Sequence, residues 1–157
     1  MAVRIRILSP GNPKLDFVEK GIEEYATRLS HYVRVDLKWL SVRIQTKKTV
    51  PARVIEQEAA AIQRALDPSA LLVVLDLKGK LLSSEELAAF FQRQMLTHSA
   101  FDFVIGGEWG IAPTLKKQAD SVLSLSRLTL THDLTRLILL EQIYRAFTIL
   151  RGEKYHK

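Results

Sequence analysis

The chain has 157 residues, 47% hydrophobic and 25% charged, enough for one domain with a real core but not for two. It has no cysteine, which excludes disulfides, thiolate metal sites, thiol nucleophiles and pyrimidine chemistry that proceeds through a cysteine adduct. Lysine and arginine exceed aspartate and glutamate by 23 − 17 = 6, a surplus that suits a polyanionic partner without requiring one.

In chain order, "AVRIRIL" (Ala2–Leu8) alternates with period two and predicts a strand, without the h-region or cleavage site of a signal peptide. "SPGNP" breaks it. "KLDFVEKGIEEYATRLS" then carries Phe17, Val18, Ile22, Tyr25 and Leu29 at helical spacing, with acids early and Arg28 late. "YVRVDLKWLSVRI" predicts a second strand, and "QTKKT" a polar connection. Pro51 opens an Ala/Glu/Gln-rich helix that runs to Leu66. "ALLVVLDL" is continuous and apolar, as a strand covered on both faces should be, and "KGK" is expected to turn the chain. "SSEELAAFFQRQM" predicts a helix capped by Ser83 or Ser84. A further strand, Phe101 to Ile105, stops at "GGEWG". "APTLKKQAD" predicts a short helix, and "SVLSLSRLTLTH" alternates small polar with apolar residues. "DLTRLILLEQIYRAFTILRG" is the longest helix, with Gly152 as its C-cap.

Strands alternating with helices predict an α/β fold with a mostly parallel sheet flanked by helices, as a single domain over residues 1–157. No apolar run is long enough for a bilayer, so a cytoplasmic protein with no membrane partner is expected. The four histidines, His31, His98, His132 and His156, are scattered, and no metal site is expected; His31 and His98 read as surface residues. The long helix is apolar nearly all round: Leu134, Leu137 and Ile138 share a stripe with Glu141, and Leu139, Leu140, Ile143, Phe147 and Leu150 fill other sides. Such a helix is buried on more than one face, either at the centre of a thick core or, as favoured here, in a homodimer interface.

In open α/β sheets ligands bind beyond the carboxyl ends of the strands. Three loops fall there: after Leu75, after Ile105, and across Leu125 to Thr131. "GGEWG" is not a P-loop, since no G-K-[ST] follows, and it is out of register with a dinucleotide fingerprint. A phosphate-heavy ligand is disfavoured. A neutral or cationic nucleoside suits better, its flat base among Leu75, Leu125, Leu128 and Leu130.

"FVIGG…G" followed by "LSLSRLTLTH…R…LLEQIYRAF.IL.G..YHK" closely resembles the RlmH family, the bacterial large-subunit rRNA pseudouridine N3-methyltransferases of the SPOUT class. The resemblance runs end to end and includes "RIRIL", "GIEEYATRLSHYVRVDL" and "LDLKGKLLSSEELA". It implies a C-terminal deep trefoil knot, S-adenosylmethionine as methyl donor with S-adenosylhomocysteine as product, a homodimer, and large-subunit (23S) rRNA as substrate. A bare catalytic unit with little surface of its own for reading RNA is expected to need a large preformed target, the assembled ribosome. By position, the implied cofactor contacts are Leu75, Gly106, Leu125, Ser126, Arg127, Leu128, Thr129 and Leu130, with Gly107 and Gly110 shaping the loop. The family often has a small residue or proline where this chain has Glu108 and Trp109, and proline in place of Thr131.

The tail "RGEKYHK" offers charge, an aromatic ring and an imidazole, and the resemblance implies that it completes the active site of the other subunit. The imide nitrogen of pseudouridine must lose its proton on attack, and histidine is suited to take it near neutral pH. The expected catalytic residues are His156, favoured over His132, with Tyr155 and Arg145. His132 is a candidate cap for the following helix. Arg136 and Arg145 are candidates to hold a phosphate or the developing oxyanion, or to form inter-subunit salt bridges. Two rivals are a ribosome-associated factor that has lost the chemistry and a SPOUT methyltransferase acting on tRNA; the intact motifs oppose the first, the absence of an added RNA-binding domain the second.

Overall fold

In the computed structural model, which describes residues 2–43 and 50–157, the polar pattern of the strands fixes which side faces which helices. The strands are β1 (Arg4–Pro10), β2 (Arg34–Leu40), β3 (Leu71–Leu81), β4 (Ala100–Val104) and β5 (Ser121–Ser124). They form one sheet in the order β2-β1-β4-β3-β5, and every neighbouring pair is parallel. The helices are α1 (Asp16–Leu29), α2 (Pro51–Ala65), α3 (Ser84–Gln94), α4 (Pro113–Gln118) and α5 (His132–Leu150). Met1, Ile44 at the end of the second predicted strand and the "QTKKT" connection lie outside the described residues.

Alternation along the central strands builds two cores. Ile5, Ile7, Val73, Phe101 and Phe103 face one side, where they meet Val18 and Ile22 of α1, Phe90 and Phe91 of α3, and Leu140, Ile143 and Phe147 of α5. Leu8, Leu72, Val74 and Val104 face the other, under Ile62 of α2 and Leu115 of α4. The continuous apolar run of β3 is thus needed on both faces. Phe17, expected on the buried stripe of α1, is 62% exposed. On the α2 side Arg6 forks onto Asp102, with Nε to Oδ1 at 2.7 Å and Nη2 to Oδ2 at 2.6 Å. Arg6 also donates to the Ala65 carbonyl at the end of α2, so the pair ties helix to sheet.

Two breaks expected from sequence lie inside strands. β1 runs through Ser9 and Pro10 because its pairing with β4 ends at Leu8, so beyond it the strand has β2 alone as neighbour and Pro10 needs no second partner. β3 continues past "KGK" to Leu81, but its pairing with β5 is interrupted: Leu75 and Lys80 both stand opposite Leu123. Asp76 to Gly79 is an excursion between those two contacts. Gly79 returns so close to β5 that a Cβ on it would stand 2.6 Å from the Leu123 carbonyl carbon, which only glycine permits.

α3 starts with a capping box, Ser83 Oγ accepting from the Glu86 amide and the Glu86 side chain accepting from the Ser83 amide. α5 packs against both α1 and α3 over the sheet. Every residue of α5 is buried or half-buried within the chain itself, so its all-round apolarity is largely satisfied by the sheet and two flanking helices.

Candidate functional site

The carboxyl ends of β3, β4 and β5 open onto a cavity of about 650 Å³. All three loops named from the sequence line it: Leu75 to Leu77, Ile105 to Glu108 with Gly110 and Ile111, and Ser124 to Ser126 with Leu128 to Thr131. Leu75, Gly106, Leu125, Ser126, Leu128, Thr129 and Leu130 are brought together here. Arg127 is not among the lining residues and is exposed.

Local chemistry holds each loop. Gly107 and Gly110 form an antiparallel bridge, the Gly110 amide donating to the Gly107 carbonyl at 3.1 Å, with Gly110 at φ +94°. Glu108 and Trp109 are left at the tip of this tight turn, both exposed. Behind the turn the buried Glu58 carboxyl of α2 fills the space where a Gly107 side chain would stand, its Oε1 2.8 Å from the position of a Cβ. Burial, and then the charge of Glu108, push the Glu58 carboxyl above its ordinary pKa. In the third loop Ser124 Oγ donates to the Ser126 carbonyl and the Leu128 amide donates to Ser126 Oγ, both at 2.9 Å. These serines fold the segment so that leucines flank the cavity.

Thr131, not His132, caps α5: its Oγ1 accepts from the Leu134 amide at 3.2 Å. His132 is the first helical residue and lines the cavity. Burial, then the nearby Arg136 charge, lower its pKa below the usual imidazole value of 6.5. Arg136 is fully buried and cannot hold a phosphate. It donates to Ser9 Oγ at 3.0 Å and to the Pro10 carbonyl at 2.7 Å, and lies 3.8 Å from Asp133. Asp133 Oδ2 in turn accepts the Lys14 and Leu15 amides at 2.8 and 3.1 Å. The start of α5 therefore anchors the segment after β1 and brings Lys14 to the cavity.

Lys14, Asp76, Ile111 and Thr135 line the cavity without having been singled out from sequence. The signal for Lys14 is present, since it follows the carboxyl end of a strand, but the position of that strand beside β4 is a property of sheet order alone.

The three expected catalytic residues meet one another, away from this cavity. Tyr155 donates to Glu141 Oε1 at 2.9 Å, and Arg145 reaches the same oxygen at 2.7 Å while its guanidinium lies 4.7 Å from the centre of the Tyr155 ring. His156 Nδ1 is 3.1 Å from Arg145 Nη1 and Nε2 is 2.7 Å from Glu85 Oε1. Arginine only donates, so Nδ1 accepts and Nε2–H donates to Glu85. Burial and its hydrogen bonds to Tyr25 and Glu141 hold the Tyr155 phenol protonated, well above its ordinary pKa. Thr135 lines the cavity and Arg145 holds the tail; the helix rises about 15 Å between them. His31 is exposed and His98 half-buried, and neither lines the cavity.

Among the described residues no helix is long and apolar enough to cross a membrane, and no group of three acidic or histidine side chains is placed to hold a metal ion.

Residues 3–156 match a family model described as "Predicted SPOUT methyltransferase". The chain is 42% identical over 159 residues to a protein of Desulforamulus reducens named "Ribosomal RNA large subunit methyltransferase H", covering 99% of each chain. It is 44% identical over 161 residues to a protein of the same name from Symbiobacterium thermophilum, covering 99% of this chain and 100% of that one. Among solved structures, a "Probable Methyltransferase" from Bordetella pertussis shares the fold, with a TM-score of 0.56 and 13% identity over 92% of this chain and 94% of that one.

Proposed function

Because the chain belongs to the SPOUT methyltransferase family, we propose that it methylates large-subunit ribosomal RNA, at N3 of a pseudouridine, from S-adenosylmethionine. The observation that carries this reading is the meeting of three loops around one cavity at the carboxyl ends of β3, β4 and β5. A cavity of about 650 Å³ is in the range that encloses a ligand of cofactor size. Its walls fit a nucleoside: Leu75, Leu125, Leu130 and Ile111 are apolar, and the glycine turn exposes backbone donors and acceptors. S-adenosylmethionine, when bound, supplies a methyl carbon activated by its sulfonium.

Leu75, Gly106 and the 125–130 segment would hold the adenosine, with Arg127 outside the first contacts. The chain path is read as knotted. Family membership supports this. The protein is read as a homodimer. In one chain the His156 cluster and the cavity occupy different turns of α5, so a tail in the site must come from the partner. Leu15 and Phe17, 43% and 62% exposed beside the start of α5, supply apolar surface for such a contact.

In the assembled site His156 takes the N3 proton on Nδ1 while Glu85 fixes Nε2–H, and Arg145 turns from His156 to the developing oxyanion of the base. Tyr155, held protonated, positions Arg145 through Glu141 and by stacking. The remaining contribution is orientation, which aligns nitrogen, methyl and sulfur.

The test is transfer of labelled methyl from S-adenosylmethionine to bacterial ribosomes lacking this modification, with separated large subunits alongside. Label in large-subunit rRNA, stronger on joined ribosomes, is expected. Cofactor binding without transfer would redirect the search to another RNA, and no binding would overturn the enzymatic reading.

A further inference from the structure

The cavity is lined by four side chains that can carry charge: Lys14, Asp76, Glu108 and His132. Asp76 already meets the Lys116 ammonium at 3.6 Å. His132 is disfavoured as a cation by burial and by Arg136. Lys14 is left as the basic side chain of the lining without a place in the foregoing pairs. Its backbone is pinned, since its own amide and that of Leu15 both donate to the buried Asp133 carboxylate. Its ammonium, by contrast, makes no ion pair or hydrogen bond among the described residues. A fixed main chain with an uncommitted cation at the mouth of a cavity is suited to an oxyanion on a ligand that enters it.

Resting on the reading of the cavity as a cofactor site, we infer that Lys14 binds the α-carboxylate of the methionine moiety of S-adenosylmethionine. The carboxylate is the anionic group of that amino-acid arm, while its ammonium and the sulfonium are cations. Lys14 is thus the lining group whose charge is complementary to that carboxylate. The contact is common to donor and product, since both carry the carboxylate, so it adds affinity without distinguishing them.

The experiment is calorimetric titration of the full-length protein, Lys14→Met and Lys14→Arg with S-adenosylmethionine, S-adenosylhomocysteine and 5′-methylthioadenosine, which keeps the nucleoside thioether but lacks the amino-acid arm. Lys14→Met should weaken both intact ligands about tenfold or more, the loss of one charge-assisted contact. 5′-Methylthioadenosine should bind all three proteins alike, and Lys14→Arg should recover most of the loss. Equal weakening of all three ligands, or of none, overturns the assignment while leaving the cofactor site standing. Unchanged cofactor affinity with a raised KM for ribosomes would also overturn it, moving Lys14 to an RNA phosphate. Failure of the unaltered protein to bind any of the three would overturn the cofactor reading itself.

Discussion

His132 shows how a residue's surroundings decide its part. It stands at the cavity, yet burial and the nearby Arg136 charge disfavour its imidazolium, which makes it a wall residue and not a permanent charge. The sign of its pH dependence follows. As pH falls below 6.5 the unfolded chain takes up the proton before the folded one, so the stability is fully present above that value and is lost on acidification towards the folded-state pKa. In His132→Gln the acid slope of stability should be shallower than in the unaltered protein, measured by urea denaturation over that window. A proton-NMR titration should place the His132 midpoint below 6.5; a midpoint at or above it would contradict the burial argument.

At the scale of elements, β3 and β5 bear the greatest constraint, because their pairing is interrupted and resumed around Gly79. Gly79→Ala should destabilise the fold by about 1–3 kcal/mol, since the added methyl meets the Leu123 backbone and cannot be relieved by a rotamer change. The same variant should weaken cofactor binding, because Leu75 to Leu77 and Ser124 to Leu125, on either side of the contact, line the cavity. Denaturation and calorimetry on one preparation check both. Most strands and helices were legible from periodicity, since Ile5 and Ile7 alternate with Arg6, and Val54, Glu58 and Ile62 recur one turn apart; β3 and α5, apolar on all sides, were legible from the length of their apolar runs. The cavity was legible as three loops after strands. Lys14 was not, because its place depends on β1 lying beside β4, a pairing between segments far apart in sequence. Nor was the anchoring of the tail, since His156 meets a glutamate 71 positions earlier. Periodicity reports which face of an element is covered and not which distant residue covers it.

At the scale of the whole molecule, the separation of cavity and tail along α5 makes a dimer part of the chemistry in the proposed reading. Mixing distinguishes this from a site within one chain. A cavity variant, Gly106→Trp, and a tail variant, His156→Ala, should each be inactive alone in methyl transfer. Unfolded, mixed and refolded together, they should recover about one quarter of full activity, because half the dimers are mixed and each mixed dimer holds one complete site of two. No recovery, with mixed dimers verified by mass, would place both halves of the site in the same chain.

The position of β5 and α5 also sets a schedule. Both are made after the elements they cover, since β3 requires β5 as its neighbour, and α1 and α3 pack on α5. Until they arrive, the growing chain carries an open strand edge and two helices with uncovered apolar faces, the condition that favours wrong association. Such distant parallel pairing is also slow, because the long intervening loop must close before any contact rewards it. The arrangement that builds the cavity from distant loops therefore ties its formation to a late step of the protein's own folding.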